Sequence, residues 1–253
     1  MKNILKIFFY SVIALLFSQC KNEIKDDETR PNILFVLVDD QRNDVISIAG
    51  HPIVKTPTID NLAKNGIRFT NAFVTSPICA ASRASIFTGL YEYKHNYTFG
   101  KKPLKEAFVA NSYPLLLKKS GYITGFTGKF GVNLEMKDSM ITEMFDFFKP
   151  SRKNAPYFDK RADGTLRHSA EIRGDDAVEF INNQTSEQPF CLSISFNAVH
   201  AVDANLTPGN EGHYPYPQSV ANMYEDVVIP KPTLNAPEIY ENHPDFLKNS
   251  LNR

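Results

Sequence analysis

"PNILFVLVDD", residues 31–40, is the stretch on which the fold turns: an unbroken apolar run from Ile33 to Val38, closed by two aspartates. A strand with one face in water alternates apolar and polar side chains. A continuous run suits a strand buried on both faces, as in a parallel sheet covered by helices. The segments beyond Asp40 keep to that scheme. "TPTIDNLAKNG" (56–66) sets Ile59, Leu62 and Ala63 at helical spacing, with Thr58 as the candidate N-cap and Gly66 as the stop. "IRFTNAFV" (67–74) reads as a strand and "CAASRASIFTG" (79–89) as a short helix ending near Gly89. "SYPLLLKKSG" (112–121) is helical between Ser112 and Gly121, and "YITGFTG" (122–128) is a strand. "GDDAVEFINNQ" (174–184) is helical, and "PFCLSISF" (189–196) is a strand with Phe190, Leu192, Ile194 and Phe196 in period two. This alternation predicts an α/β sandwich with a mostly parallel central sheet. From about Ala201 the pattern gives way to Pro- and Tyr-rich sequence of the kind that makes a long surface excursion.

Composition bounds the rest. The chain has 253 residues, enough for one large domain or two small ones, and 42% of them are hydrophobic against 22% charged, as in a globular core. Its 28 basic and 28 acidic side chains cancel, and no long basic run argues for nucleic acid as a partner. Residues 1–20 read as a signal peptide: Lys2 and Lys6, an apolar stretch from Ile7 to Phe17, then Cys20. That stretch is short of the ~20 residues that span a bilayer. Cys20 stands where a bacterial lipoprotein carries its lipid, so the expected location is exported, either periplasmic or membrane-anchored. Residues 21–30 then form a tether and 31–253 the folded part. Cys20, Cys79 and Cys191 make an odd count. A disulfide between Cys79 and Cys191 is one reading, although Cys191 lies in an apolar run that looks like core.

Active sites of open α/β sheets gather at the carboxyl ends of strands. Asp39 and Asp40 end the first. Two carboxylates ~4 Å apart repel by about 4 kcal/mol at an effective dielectric near 20, and a hard cation reverses the sign. Neighbours in a strand point to opposite faces, so joint ligation requires the backbone to curl after Val38. A solvated pair opening a loop is the alternative. Cys79 stands at a helix N-terminus with Arg83 at i+4 on the same face, an arrangement that favours anions. A thiolate nucleophile fits there, although no base is named for it, and so does a buried structural cysteine.

The same residues carry a family resemblance. "CAASRASIFTG" resembles the signature of type I sulfatases, C-x-[P/A]-S-R followed by T-G, and "RPNILFVLVDDQR" looks like that family's first strand with two metal-binding aspartates. "TPTIDNLAKNGIRFTNAFV", "SYPLLLKKSGYITGFTGKF" and "PFCLSISFNAVH" are similar to further blocks, in the same order, from about Arg30 to His200. The resemblance implies an alkaline-phosphatase-like α/β/α sandwich and hydrolysis of sulfate esters. It implies that Cys79 is oxidised to formylglycine by a formylglycine-generating or anaerobic sulfatase-maturing enzyme. Calcium, in preference to magnesium, would sit on Asp39, Asp40 and residue 79. One hydroxyl of the hydrated aldehyde would attack sulfur as the alcohol leaves. The second would then lose its proton and re-form the aldehyde, expelling sulfate. Arg83 would support the diol, Lys129 hold sulfate oxygens, and His200 contact sulfate or protonate the leaving oxygen. Sulfated small molecules or polysaccharides are the implied substrates, with specificity in the loops 91–110, 150–170 and 201–250.

The chain also departs from that pattern. Lys129-Phe130-Gly131 stands where the family reads K-W-H or K-Y-H, and the later "D-N-G"-like metal pair has no counterpart. The expectation is therefore an incomplete N-terminal portion with the C-terminal part missing. Two other readings stay open: a catalytically inactive exported glycan-binding remnant, or a phosphoester hydrolase of the same superfamily. His95 reads as part of an exposed polar loop or as a substrate contact. His51, His168, His213 and His243 have no partner that the sequence names.

Overall fold

In the computed structural model, residues 30–135, 138–151, 157–160, 163–202, 213–231 and 236–248 are described. The leader and nearly all of the tether lie outside them. The strands in chain order are β1 (Ile33–Val38), β2 (Ile123–Gly128), β3 (Phe147–Pro150), the short β4 (Phe158–Lys160) and β5 (Leu166–His168), and β6 (Phe190–Phe196). Among the described residues β1, β6, β2 and β3 form the central sheet in that order, with every pairing parallel. β4 and β5 make a separate antiparallel hairpin.

Helices cover both faces. They are α1 (Pro57–Asn65), α2 (Cys79–Thr88), α3 (Tyr113–Lys119), α4 (Asp138–Met144) and α5 (Ser169–Asn182), with single turns between and after them. Ala80, Ala84 and Phe87 of α2 pack with Phe126 of β2, Tyr97, Leu104, Val132 and Phe145 on one face. Ala177 and Phe180 of α5 pack with Leu192 and Ile194 of β6 on the other. The alternate residues Ser193 and Ser195 face the α2 side, where each finds a hydroxyl or guanidinium partner. Period two in "PFCLSISF" thus separates two buried faces rather than core from water. The described part is an α/β/α sandwich.

The glycines of β2 are steric. Gly128 has φ +101°, and a Cβ there would lie 1.9 Å from Ser195 O. β2 and β6 reach this separation at their carboxyl ends because residue 128 has no side chain.

Four expectations need correction. β1 is not buried on both faces: it is an edge strand here, and Leu34 and Val36 are 52% and 48% exposed. Residues 67–74 form no strand, since no neighbouring strand among those described offers them a ladder, and Ile67, Phe69, Phe73 and Val74 stay exposed. α1 is preceded by Thr56 rather than capped by Thr58, with Pro57 at its first position, where a missing N–H costs nothing. α5 begins at Ser169, ahead of Gly174, because His168 and Glu171 close a capping box around its first turn.

Candidate active site

Three neighbouring strands, β1, β6 and β2, end at the same rim of the sheet, and the predicted residues sit on those ends. After Val38 the chain curls: Asp39 and Asp40 form a turn and Asp40 takes φ +57°, a conformation that aspartate tolerates better than most side chains. The curl that joint ligation demands is present. The two carboxylates nonetheless differ in setting, Asp39 being buried and the Asp40 side chain 61% exposed.

Asp39 is the hub. Its Oδ2 accepts from Lys129 Nζ at 2.5 Å and lies 3.3 Å from an Arg83 terminal nitrogen. The other terminal nitrogen of Arg83 donates to Ser195 Oγ at 2.5 Å and to the carbonyl of Lys129. Ser195 Oγ also donates to that carbonyl, at 2.8 Å. Lys129 N donates to Ser195 O at 2.8 Å, carrying the β2–β6 ladder one step past β2. Buried charges survive only when paired and hydrogen-bonded, and each of these is. Arg83 Nε has no partner among the described residues. It faces Gly131, whose Cβ, if present, would lie 3.2 Å from Nε and 2.5 Å from Cδ.

Cys79 is the first residue of α2 and is half-buried, while Arg83 lies one turn further in. Arg83 and Lys129 face a single buried carboxylate. One positive charge is left in excess beside the positive end of a helix, which is an environment for an anion. The β6 end supplies His200. Val199 N donates to Asp39 O at 3.1 Å, stitching this loop to β1. His200 Nδ1 lies 2.6 Å from the carbonyl of Ala201; a carbonyl only accepts, so Nδ1 carries the proton. Nε2 then faces Asp40 Oδ2 at 3.7 Å. Tyr157 OH donates to the carbonyls of Asn197 and His200 and so pins the loop from outside.

The structure therefore gathers Asp39, Arg83 and Lys129 into one hydrogen-bonded cluster, with Cys79 a helical turn away and His200 beside Asp40. Ser195 and Tyr157 were missed by the sequence reading, and Gly131 was noted there only as a departure from the family pattern. Ser195 carried a legible signal, a polar residue inside an apolar strand. Tyr157 carried none, as its contact spans about forty residues. Cys191 is core, as its apolar run indicated: it is unpaired and buried on β6, and desolvation pushes its thiol up to about 11. Cys79 is free as well, so the two form no disulfide.

Three of the other histidines, His51, His95 and His168, are structural. His95 is buried rather than in an exposed loop. Its Nδ1 accepts from Tyr97 N at 3.1 Å, which leaves the proton on Nε2 to donate to Ser85 Oγ at 3.1 Å. His168 caps α5, its Nδ1 accepting from Ala170 N and its Nε2 donating to the carbonyl of Pro215. His51 Nδ1 accepts from the amides of Ile53 and Val54. Burial lowers the pKa of both His95 and His168, in keeping with neutral rings that must accept.

A divalent cation was expected on Asp39 and Asp40. Calcium takes six to eight oxygens. The described residues offer two carboxylates, one of them held by two cationic side chains, and no group of three or more Asp, Glu, His or Cys residues that could hold a metal lies among them. These residues do not by themselves make a calcium site.

Known proteins share this arrangement of strands and helices. The Sulfatase family model matches residues 31–248. An ulvan-active sulfatase of Formosa agariphila is 41% identical over 196 residues, covering 72% of this chain and 35% of that protein. The N-acetylglucosamine-6-O-sulfatase of Bacteroides thetaiotaomicron is 26% identical over 223 residues, covering 84% and 38%. A protein solved in complex with its substrate D-glucosamine-2-N,6-O-disulfate superposes with a TM-score of 0.64 at 25% identity, over 81% of this chain and 40% of that one. The phosphonate monoester hydrolase of Agrobacterium radiobacter shares the fold alone, at a TM-score of 0.54 and 23% identity. The chain spans well under half the length of these proteins.

Proposed function

The chain belongs to the sulfatase family, and from that premise we propose that it forms the anion-binding half of a site that hydrolyses sulfate esters of carbohydrate, with Cys79 matured to formylglycine. One observation carries this: Arg83 and Lys129 converge on Asp39 at the strand ends, one turn from the residue in the signature position. When present, the hydrated aldehyde supplies the hydroxyl that attacks sulfur. The chain's own residues do the rest. Arg83, fixed by Ser195 and the Lys129 carbonyl, presents a guanidinium that cannot swing away. Lys129, whose ammonium is held by Asp39 alone among the described residues, can turn it from Asp39 to an arriving sulfate. His200 holds its proton on Nδ1, leaving Nε2 as the nitrogen that can take up and hand on a proton.

No step is routed through calcium, because the described donors do not complete its shell. That same shortfall favours a second reading, a glycan-binding protein without turnover. The fold does not separate a sulfatase from a phosphonate monoester hydrolase, since both superpose. Against the phosphoester-hydrolase alternative stands the match of residues 79–89 to the sulfatase signature, with Cys79 at the nucleophile position. The test is peptide mass spectrometry on chain made alongside a formylglycine-generating or anaerobic maturing enzyme. Aldehyde at residue 79 is expected. Thiol alone under those conditions would remove the mechanism and leave the binding reading.

A further inference from the structure

The loop between α2 and α3 projects an aromatic ring and three cations from a fixed base. Tyr97 is buried and its hydroxyl accepts from Asn133 N at 2.7 Å. Leu104 is buried too; its N donates to Asn133 O at 2.8 Å, and its carbonyl accepts from Glu135 N at 2.9 Å. Between these anchors the chain turns, with Lys101 N donating to Thr98 O at 3.2 Å and Gly100 at φ +72°. The turn leaves Phe99 66% exposed. Lys101, Lys102 and Lys105 are exposed as well, and none has a carboxylate within ion-pair distance among the described residues. From Phe99 to Lys105 there is no acidic residue, in a chain whose total charge is zero.

The anchors place the base of this loop near the site. Asn133 lies four residues beyond Lys129, so the two are at most about 14 Å apart even if that segment is fully extended. Tyr97 and Leu104 pack in the same cluster as Ala80, the neighbour of Cys79. A flat, rigid ring held in water loses little entropy on binding, and an unpaired ammonium has no partner to give up. A ligand that rewards both must show an apolar ring face beside fixed anions. A sulfated sugar chain does this: the C–H face of a pyranose lies on the phenyl ring while its sulfates meet the lysines.

We infer that Phe99, Lys101, Lys102 and Lys105 form a binding arm for sulfated polysaccharide, holding the chain next to the site whose sulfate ester it presents. This rests on the substrate class proposed above. Binding of the 253-residue protein to dextran sulfate, with unsulfated dextran as control, tests it by biolayer interferometry across 50–300 mM NaCl. The triple variant Lys101→Gln, Lys102→Gln, Lys105→Gln should bind at least tenfold more weakly at low salt. Its slope of log affinity against log salt should fall by roughly two to three, as counterion release requires. Phe99→Ala should weaken binding several-fold with the slope unchanged. Changing the exposed Lys55, Lys64 and Lys231 to Gln should do neither. Undiminished affinity in the triple variant overturns the inference, as does equal binding of plain dextran. Tighter arm-dependent binding to duplex DNA or to phosphatidylserine vesicles also overturns it, in favour of those ligands. The readout needs no turnover. Arm-dependent binding with only thiol at Cys79 would therefore sink the hydrolase reading alone, and aldehyde at Cys79 with an indifferent arm would sink this one alone.

Discussion

Gly131 shows how one residue can redirect a site. Its φ of +70° lies where a side chain is strained, and the space a Cβ would fill belongs to Arg83 Cδ. The resemblance puts a histidine at this position. Here a histidine would have to displace the guanidinium that holds Ser195, the Lys129 carbonyl and Asp39. Gly131→Ala is therefore expected to cost about 1–3 kcal/mol, the sum of a left-handed backbone and a contact that Arg83 must vacate. Urea denaturation measures it, and a loss below about 0.5 kcal/mol would show that Arg83 has room to shift. The positions of Asp39 at a strand end and Arg83 one turn into a helix were legible from spacing, whereas Lys129 was singled out only by the family resemblance. The closeness of Gly131 to Arg83 was not, because it depends on a positive φ that a neighbouring Phe and Val do not signal.

Two elements hang on neutral histidines. The Tyr97 end of the lysine-bearing loop is tied by Tyr97 N to His95 Nδ1, and α5 is capped by Ala170 N to His168 Nδ1. Each ring must accept through Nδ1, which a protonated imidazole cannot do, and burial lowers the pKa of both below 6.5. The unfolded chain takes protons at about 6.5 that the folded chain refuses. The stabilisation is thus complete above pH 6.5 and declines as pH falls below it towards the lowered folded values. Carboxylates that are held low, such as Asp60 and Asp146, contribute their loss only below about 3.8, so the windows are distinct. Thermal melts should show Tm falling between pH 7 and 5. His168→Asn keeps a cap that does not titrate and should flatten that slope, whereas His168→Ala should cost about 1 kcal/mol at pH 7.5. An unchanged slope in His168→Asn would mean the cap does not titrate in this range. The sequence reading found α5 but missed its start, because histidine is an uncommon N-cap and the capping box was legible only from Glu171. It found β6 from its period-two pattern and also placed β2, at "YITGFTG". It lost β3, whose run of phenylalanines between two charged residues carries no period.

At the scale of the whole molecule, the continuous run in "ILFVLV" foretold a doubly covered strand, and β1 lacks that cover. Among the described residues it pairs with β6 along one side only, while Leu34, Phe35 and Val36 meet solvent, as do Ile67, Phe69, Phe73 and Val74 after α1. The pattern is right for a strand inside a larger sheet; burial fails because it depends on what lies alongside, which the run itself does not encode. An edge with free N–H and C=O groups and apolar side chains is a template for pairing with another chain. Edge-to-edge association of copies through β1 would satisfy those groups and remove the exposed side chains from water. The 253-residue protein alone is therefore expected to self-associate by about 100 µM, within the micromolar-to-millimolar range in which species with unpaired strand edges aggregate. Light scattering after size exclusion measures it. Val36→Lys places a charge on the edge strand and should shift the population to monomer with far-ultraviolet dichroism unchanged, since Val36 is already half in water. A monomer at 100 µM without that change would show that β1 is screened by residues outside those described.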